Sequence, residues 1–503
     1  MWEKLVKLAL LGAERTHLPE STRQQLEDQG IDTDAPFSTI LLEAAALYNQ
    51  FNKAAFPLPD WKDPLPEPID VGEQQGCNVA SSHHLKLILS GPYRQALPEF
   101  LGLLGANNQC LPPEALPPIF DSALRDPEFW ALVRPTIGAG GHWLLSLNPD
   151  WQALRENTNI SDWETSNREE RTAIIRYLRH TDPQLAIVLL ERTWHQDSVA
   201  DKMAFLPLLE INIAPGDEDF LEARLDDSRK EVRQKAALLL ATIKGSALQQ
   251  RLLDQIQKIL RWDNKKVEFD VPAELPETTL RDGIRPSPKR GAGGMKADWL
   301  QQLVGRIPPA WWEERLDRKP QQIASLFARG HWGNALLPAL TEATLLHHNN
   351  DWIEGLLRYW QKLGKEAEWQ NSSGKQLLQE LSDTAFNQII IEQLEQSGPL
   401  LEEHSLANHL LCLRPRPWPE RLSQLLIRGF QQWLASTDTY HWNTWHYRRI
   451  FEIAAYSVPP QLLDSLKTGW NYKSAAWAQW DRDVERFLKV VAFRRDMVEG
   501  FKG

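Results

Sequence analysis

Apolar residues in the middle of the chain recur with a period near 3.6. Val232, Ala236, Leu239, Leu240 and Ile243 stand at offsets of 0, 4, 7, 8 and 11, which places them on one helix face. Leu248, Leu252, Ile256 and Ile259 carry the next stripe, and Gly245 separates the two. Upstream, Asp217, Glu218 and Asp219 put negative charge where a helix dipole is positive, with Phe220, Leu221 and Leu225 facing inward. Ser228 with Glu231, and Ser246 with Gln249, are spaced as capping boxes that satisfy the free amides of a first helical turn. Three short helices over 216–260, joined by tight turns, must pack antiparallel.

The same signals extend both ways. Asp182 before Pro183 reads as an N-cap with proline at the first helical position, and Ser198 with Asp201 as a capping pair. They predict helices over 168–180, 183–195 and 199–211. Further back, prolines mark connectors at 57–76 and 111–118, the second followed by a helix to about Val133 and a turn at Gly138–His142. Leu5, Leu8 and Leu11 among Glu3, Lys4 and Lys7 suggest an amphipathic first helix rather than a signal-peptide core. Residues 263–296 break the rhythm with Pro272, Pro276, Pro286, Pro288 and glycines at 283, 291, 293 and 294. Helical periodicity resumes at Trp299 and continues through stripes at Leu422, Leu425, Leu426, Phe430, Trp433 and at Val484, Phe487, Leu488, Val491. The expected architecture is all-α, an irregular HEAT-like α-solenoid with long Pro/Gly-rich loops. Its expected regions are an N-terminal helical part (1–160), helical repeats (161–262), a basic Pro/Gly-rich loop (263–297) dividing the chain into halves, and a Trp-rich helical part (298–503).

Composition narrows the function classes. With 42% hydrophobic and 24% charged residues, the 503-residue chain has the balance of a globular protein. Its net charge, 56 − 67 = −11, disfavours general nucleic-acid binding. Three scattered cysteines, Cys77, Cys110 and Cys412, build neither a disulfide framework nor a paired metal site and suit a reducing, cytoplasmic setting. No stretch approaches the 18 or so apolar residues needed for a membrane span.

Candidate chemistry is sparse. Arg285, Lys289 and Arg290, interleaved with glycines, resemble a phosphate cradle, because lysines and glycine amides can surround an anion. The stretch lacks the order of a phosphate-binding loop, and no expected strand precedes it, so a partner-contacting loop is the plainer explanation. His409 and Cys412 could share a helix face, with His404 one turn away but poorly phased, and the trio reads as helix surface and core. No nucleophile elbow or dinucleotide fingerprint occurs, so no cofactor and no catalytic residue is expected. Tryptophan is the oddity: of 22, 14 lie between Trp299 and Trp480, with clusters at Trp311–Trp312 and at Trp442–Trp445. Large aromatics filling gaps between imperfectly matched helices explain most of them. The sharper alternative is an exposed aromatic patch that anchors a partner.

The segment Asp227 to Leu240 resembles the second helix of a HEAT repeat. Together with Ala9 to Arg15, Leu18-Pro19, Trp143 to Trp151, Asp217 to Leu221, Gly245-Ser246, Arg281 to Ile284, Trp299-Leu300 and Pro308 to Trp312, it makes nearly the whole chain resemble a bacterial family of unknown function. Members of that family look like HEAT-type proteins encoded beside MoxR-type AAA+ ATPases, von Willebrand A-domain proteins and SWIM zinc-finger proteins. The resemblance implies those proteins as partners, in an ATP-driven chaperone or metal-insertion assembly.

Two functions are therefore expected in competition. The first is a non-enzymatic scaffold or adaptor using Arg285, Lys289, Arg290, Trp311, Trp312, Trp442 and Trp445 as its working surface. The second is an enzyme, or a nucleotide- or anion-binding protein, with a pocket at the 281–296 loop against Trp311 and Trp312.

Overall fold

The computed structural model describes the chain except residues 1, 13–17, 55–66, 68–74, 156–159, 161–162, 264, 275, 286–293, 365–368, 370, 399, 414–416, 437–444 and 502–503. Most of the connector expected at 57–76 lies outside the described residues. Helices dominate, so the class is all-α; the described strands are two ladders, Gln75–Gly76 parallel to Gln109–Cys110 and Leu260–Trp262 antiparallel to Val267–Phe269. Residues 1–68 and 69–503 form two compact units. In the first, the helices Trp2–Leu11, Glu20–Glu27 and Phe37–Ala54 enclose Leu5, Leu26, Ile31, Ile40 and Ala44.

In the second unit the middle of the chain follows its local signals. Helices run over Arg168–Thr181, Pro183–Thr193 and Val199–Phe205, the last continuing as a 3-10 turn to Glu210. Asp182 accepts from the Leu185 amide, and Ser198 and Asp201 form the expected reciprocal cap. The stretch 216–260 consists of Glu218–Arg224, Lys230–Thr242 and Ala247–Ile259, each helix packed on the next. Val232, Ala236, Leu239, Leu240 and Ile243 are all buried. Ser246 accepts from the Gln249 amide while its hydroxyl donates to Leu240 O, so one residue starts a helix and finishes the one before.

Three expectations fail, each for a local reason. Ser228 and Glu231 do not cap: the helix begins at Lys230, and Asp227 instead accepts from the Arg229 amide at 2.9 Å and from Lys202 at 3.1 Å. The carboxylate, fixed by a cation from a neighbouring helix, holds the turn that leads into the helix, which starts without a side-chain cap. The glycines at 138–142 make no turn but the start of the helix Gly138–Leu147. Gly141 is buried there with the Ile137 side chain filling the space a Cβ would need, so packing offsets a propensity cost of about 1 kcal/mol per glycine. Residues 263–296, expected as loop, hold the second strand of a hairpin and the helix Glu277–Arg281. Val267 and Phe269 turn inward, but strands of three residues are too short for their period of two to stand out. One apolar core runs from Trp163 to Val491 across that stretch.

The final helix, Trp477–Gly500, packs on His446–Ser457 along its first part and on Val79–Leu89 near its end. Its Phe493 stacks on Tyr93 with ring centroids 3.8 Å apart, and Phe493, Met497 and Phe501 complete the core of residues 85–154. Arg494 pairs with Glu99 at 2.6 Å and donates to Ala455 O and Val458 O, joining three separate stretches of chain.

Candidate functional site

The helix Glu277–Arg281 ends in a turn that residues of the helices Glu218–Arg224 and Ala247–Ile259 hold by charge. Arg281 grips Asp226 with two hydrogen bonds of 2.9 and 2.8 Å and reaches Glu222 at 2.8 Å, which raises its already high pKa. Arg251 bonds the same Glu222 at 2.9 Å and the buried Asp282 at 2.9 Å. Five charges so linked hold geometry better than isolated surface pairs do. The turn closes as a Schellman motif, with Gly283 N donating to Leu280 O and Ile284 N to Thr279 O. Gly283 sits at φ +83°, and a Cβ there would lie 2.6 Å from Ala237 Cβ on the helix Lys230–Thr242. Gly283→Ala is expected to lower stability by more than the roughly 1–2 kcal/mol of left-handed backbone alone, read as a shift in urea midpoint.

Cavities lie on either side of this turn. The smaller, about 370 Å³, has walls from Ile259, Val271, Pro276, Ile284 and Trp299. Thr279 Oγ1 and Asp282 Oδ2, both buried at its edge, have no hydrogen-bond partner among the described residues. The larger, about 790 Å³, is bordered by Lys235, Arg285, Gln302, Arg306, Glu342 and His347 together with apolar residues such as Leu238 and Leu345. Gln302 Oε1 fixes Arg285, accepting from its backbone amide at 2.8 Å and from Nε at 3.3 Å. Arg306 is only 7% exposed. Its Nη2 donates to Gly283 O at 2.8 Å, and its Nη1 has no partner among the described residues. Burial, reinforced by the like charge of Arg285, lowers its pKa to about 10. Burial also lowers the pKa of His347, whose Nε2 lies 3.1 Å from Arg306 O and therefore carries the proton that is donated there.

A family model of unknown function, DUF5691, matches residues 4–501. The chain belongs to the DUF5691 family. No curated protein and no solved structure matches it.

The DUF5691 chain distributes the sequence-predicted residues unevenly. Arg285 lines the larger cavity, whereas Lys289, Arg290 and Trp442 lie outside the described residues. Trp312 is fully buried, edge-on to Phe269 and Phe327, so it offers no surface to a partner. Trp311 is half-buried against it, and neither lines the two cavities; the tryptophan that does is Trp299. Trp445 alone among the tryptophans of described burial is exposed, at 45%, with the Arg448 guanidinium 4.4 Å over its ring. His409 Nδ1 lies 3.1 Å from Ser405 O on its own helix, and Cys412 Sγ 3.9 Å from Asn408 Oδ1. Arg306 and His347 were missed by sequence reading. They sit 41 positions apart, each in the turn that follows a helix, and only the fold brings them to the cavity that Arg285 lines. Among the described residues no helix is long and apolar enough to cross a membrane.

Proposed function

We propose that this DUF5691 protein is a non-enzymatic helical scaffold or adaptor, an irregular HEAT-like α-solenoid that binds partner proteins in the cytoplasm. The observation that carries the reading is Trp445. Nearly every other described tryptophan of the C-terminal half is spent on the core, yet this one stands exposed beneath a guanidinium that Asp483 holds at 3.2 Å. A rigid aromatic paired with arginine is the composition of an interface hot spot. The antiparallel packing of Glu218–Arg224, Lys230–Thr242 and Ala247–Ile259 supports the repeat architecture. The family resemblance supplies the partners to try: a MoxR-type AAA+ ATPase, a von Willebrand A-domain protein and a SWIM zinc-finger protein.

The test is binding of the full chain to each purified candidate by biolayer interferometry. One of the three should bind, and Trp445→Ala should weaken it by about thirtyfold, the loss of a hot-spot residue, while leaving the helical circular dichroism unchanged. Binding of none, or equal binding by the variant, would count against the scaffold reading.

A further inference from the structure

The larger cavity contains a charge that the protein itself leaves uncompensated. Arg306 carries its guanidinium almost wholly out of water with, among the described residues, a single hydrogen bond, to Gly283 O. Burying a charge without a counter-charge costs several kcal/mol, which is why buried arginines pair with carboxylates. Here none does: among the described residues no carboxylate oxygen lies within 4.0 Å of Arg306, although Glu342 and Asp282 act on it from further off. The other groups facing the cavity leave the imbalance in place. Lys235 is already paired with Glu210 at 2.5 Å, Glu342 accepts from Gln301 at 2.8 Å, and His348 is turned to Glu380 at 3.0 Å. Arg285 adds a second cation, held in position by Gln302 rather than by a close carboxylate, Asp298 being 3.8 Å away. Among the described residues Lys235 has Glu210 and Arg285 has Asp298 at 3.8 Å, which leaves Arg306 as the cavity's cation with no carboxylate in reach. Water entering the cavity would satisfy an N–H but would not cancel that charge.

We infer that this cavity is a binding site for a small oxyanion ligand, a molecule presenting one phosphate or carboxylate to Arg306 Nη1 with Arg285 as the second contact. The planar guanidinium matches the oxygens of both groups, and a cavity of about 790 Å³ is of the size that holds small molecules. Lys235, Gln302 and His347 also line it, beside apolar residues such as Leu238, Leu345 and Leu346. The site is separate from Trp445 and does not depend on the scaffold reading. Because Arg306 also holds Gly283 O, an anion there acts on the turn that Arg251 and Arg281 fasten to the helices Glu218–Arg224 and Ala247–Ile259.

The test uses the full chain at constant ionic strength, titrated separately with inorganic phosphate and with malonate, with sodium chloride as the balancing salt. A saturable rise of the thermal midpoint with at least one of the two is expected, and the one that binds more tightly identifies phosphate or carboxylate as the recognised group. Arg306→Met, which removes an unpaired buried charge, should fold and lose the response. Arg285→Gln, on a less buried side chain, should weaken it about tenfold and keeps the test decisive if Arg306→Met does not fold. No saturable response to either anion in the wild type, or an undiminished response in Arg285→Gln or in folded Arg306→Met, overturns the inference.

Discussion

Arg179→Ala should lower the stability of the 69–503 unit by about 3–5 kcal/mol, the largest polar effect expected in the molecule. Arg179 and Asp217 are both wholly buried and meet in a two-point contact, Nη1 to Oδ1 and Nη2 to Oδ2, each 2.8 Å. The same guanidinium donates to the carbonyls of Ile211 at 2.8 Å, Leu209 at 3.1 Å and Asn212 at 2.9 Å, and Asp217 accepts from the Ala214 amide at 3.0 Å. It therefore closes the irregular 206–217 connection against the helix Arg168–Thr181 just before the helix Glu218–Arg224 begins. Truncation leaves a buried carboxylate without its cation and three carbonyls without a donor. Asp217→Ala should cost a similar amount for the mirror-image reason. The double variant Arg179→Met/Asp217→Leu is expected to recover part of the loss, because no charge is then stranded. It should stay roughly 1–3 kcal/mol below the wild type, since the carbonyls remain unpaired. Urea denaturation of the four proteins measures this cycle; a single variant within about 1 kcal/mol of the wild type would show that the pair is not holding the connection.

The contrast between Arg179 and Arg306 explains what the sequence discloses and what it hides. Helix ends at Asp182, Ser198 and Ser246 are legible because the capping side chain and the amide it satisfies lie three residues apart. The stripes of 232–243 and 248–256 are legible because a helix face is a local property of spacing. Arg179 and Asp217 are 38 positions apart, Arg306 and Gly283 are 23, and Arg494 and Glu99 are 395. Nothing in the spacing distinguishes an arginine that is paired from one that is stranded in a cavity. The 281–285 turn lies between these cases. Its glycine and charges attract notice in the sequence, but the glycines and lysines further along the same loop attract more. It takes the fold to show that Asp226, Glu222 and Arg251 bind the turn and that Trp299, not Trp311 or Trp312, borders a cavity beside it.

Trp312→Ala should destabilise the same unit by about 3–5 kcal/mol, the usual cost of emptying a large aromatic site in a core that relaxes only partly. The ring is fully buried, with Phe327 at 5.1 Å, Phe269 at 6.2 Å and Trp311 at 4.8 Å between centroids, all near edge-to-face. Phe269 belongs to the hairpin inside the 263–296 stretch and Phe327 to the helix Pro320–Arg329, so one side chain ties that stretch to the helices following it. The indole Nε1 is buried without a hydrogen-bond partner among the described residues. Trp312→Phe therefore removes volume but also an unsatisfied donor, and the two effects oppose each other. It should cost well under half as much as Trp312→Ala. At Trp352, whose Nε1 donates to Glu313 at 2.7 Å, the order of effects should differ, with Phe substitution losing a hydrogen bond to a charged group as well as volume. Chemical denaturation of Trp312→Phe and Trp352→Phe side by side decides the matter: equal losses would mean that hydrogen bonding of the indole does not govern how these buried tryptophans contribute to the core.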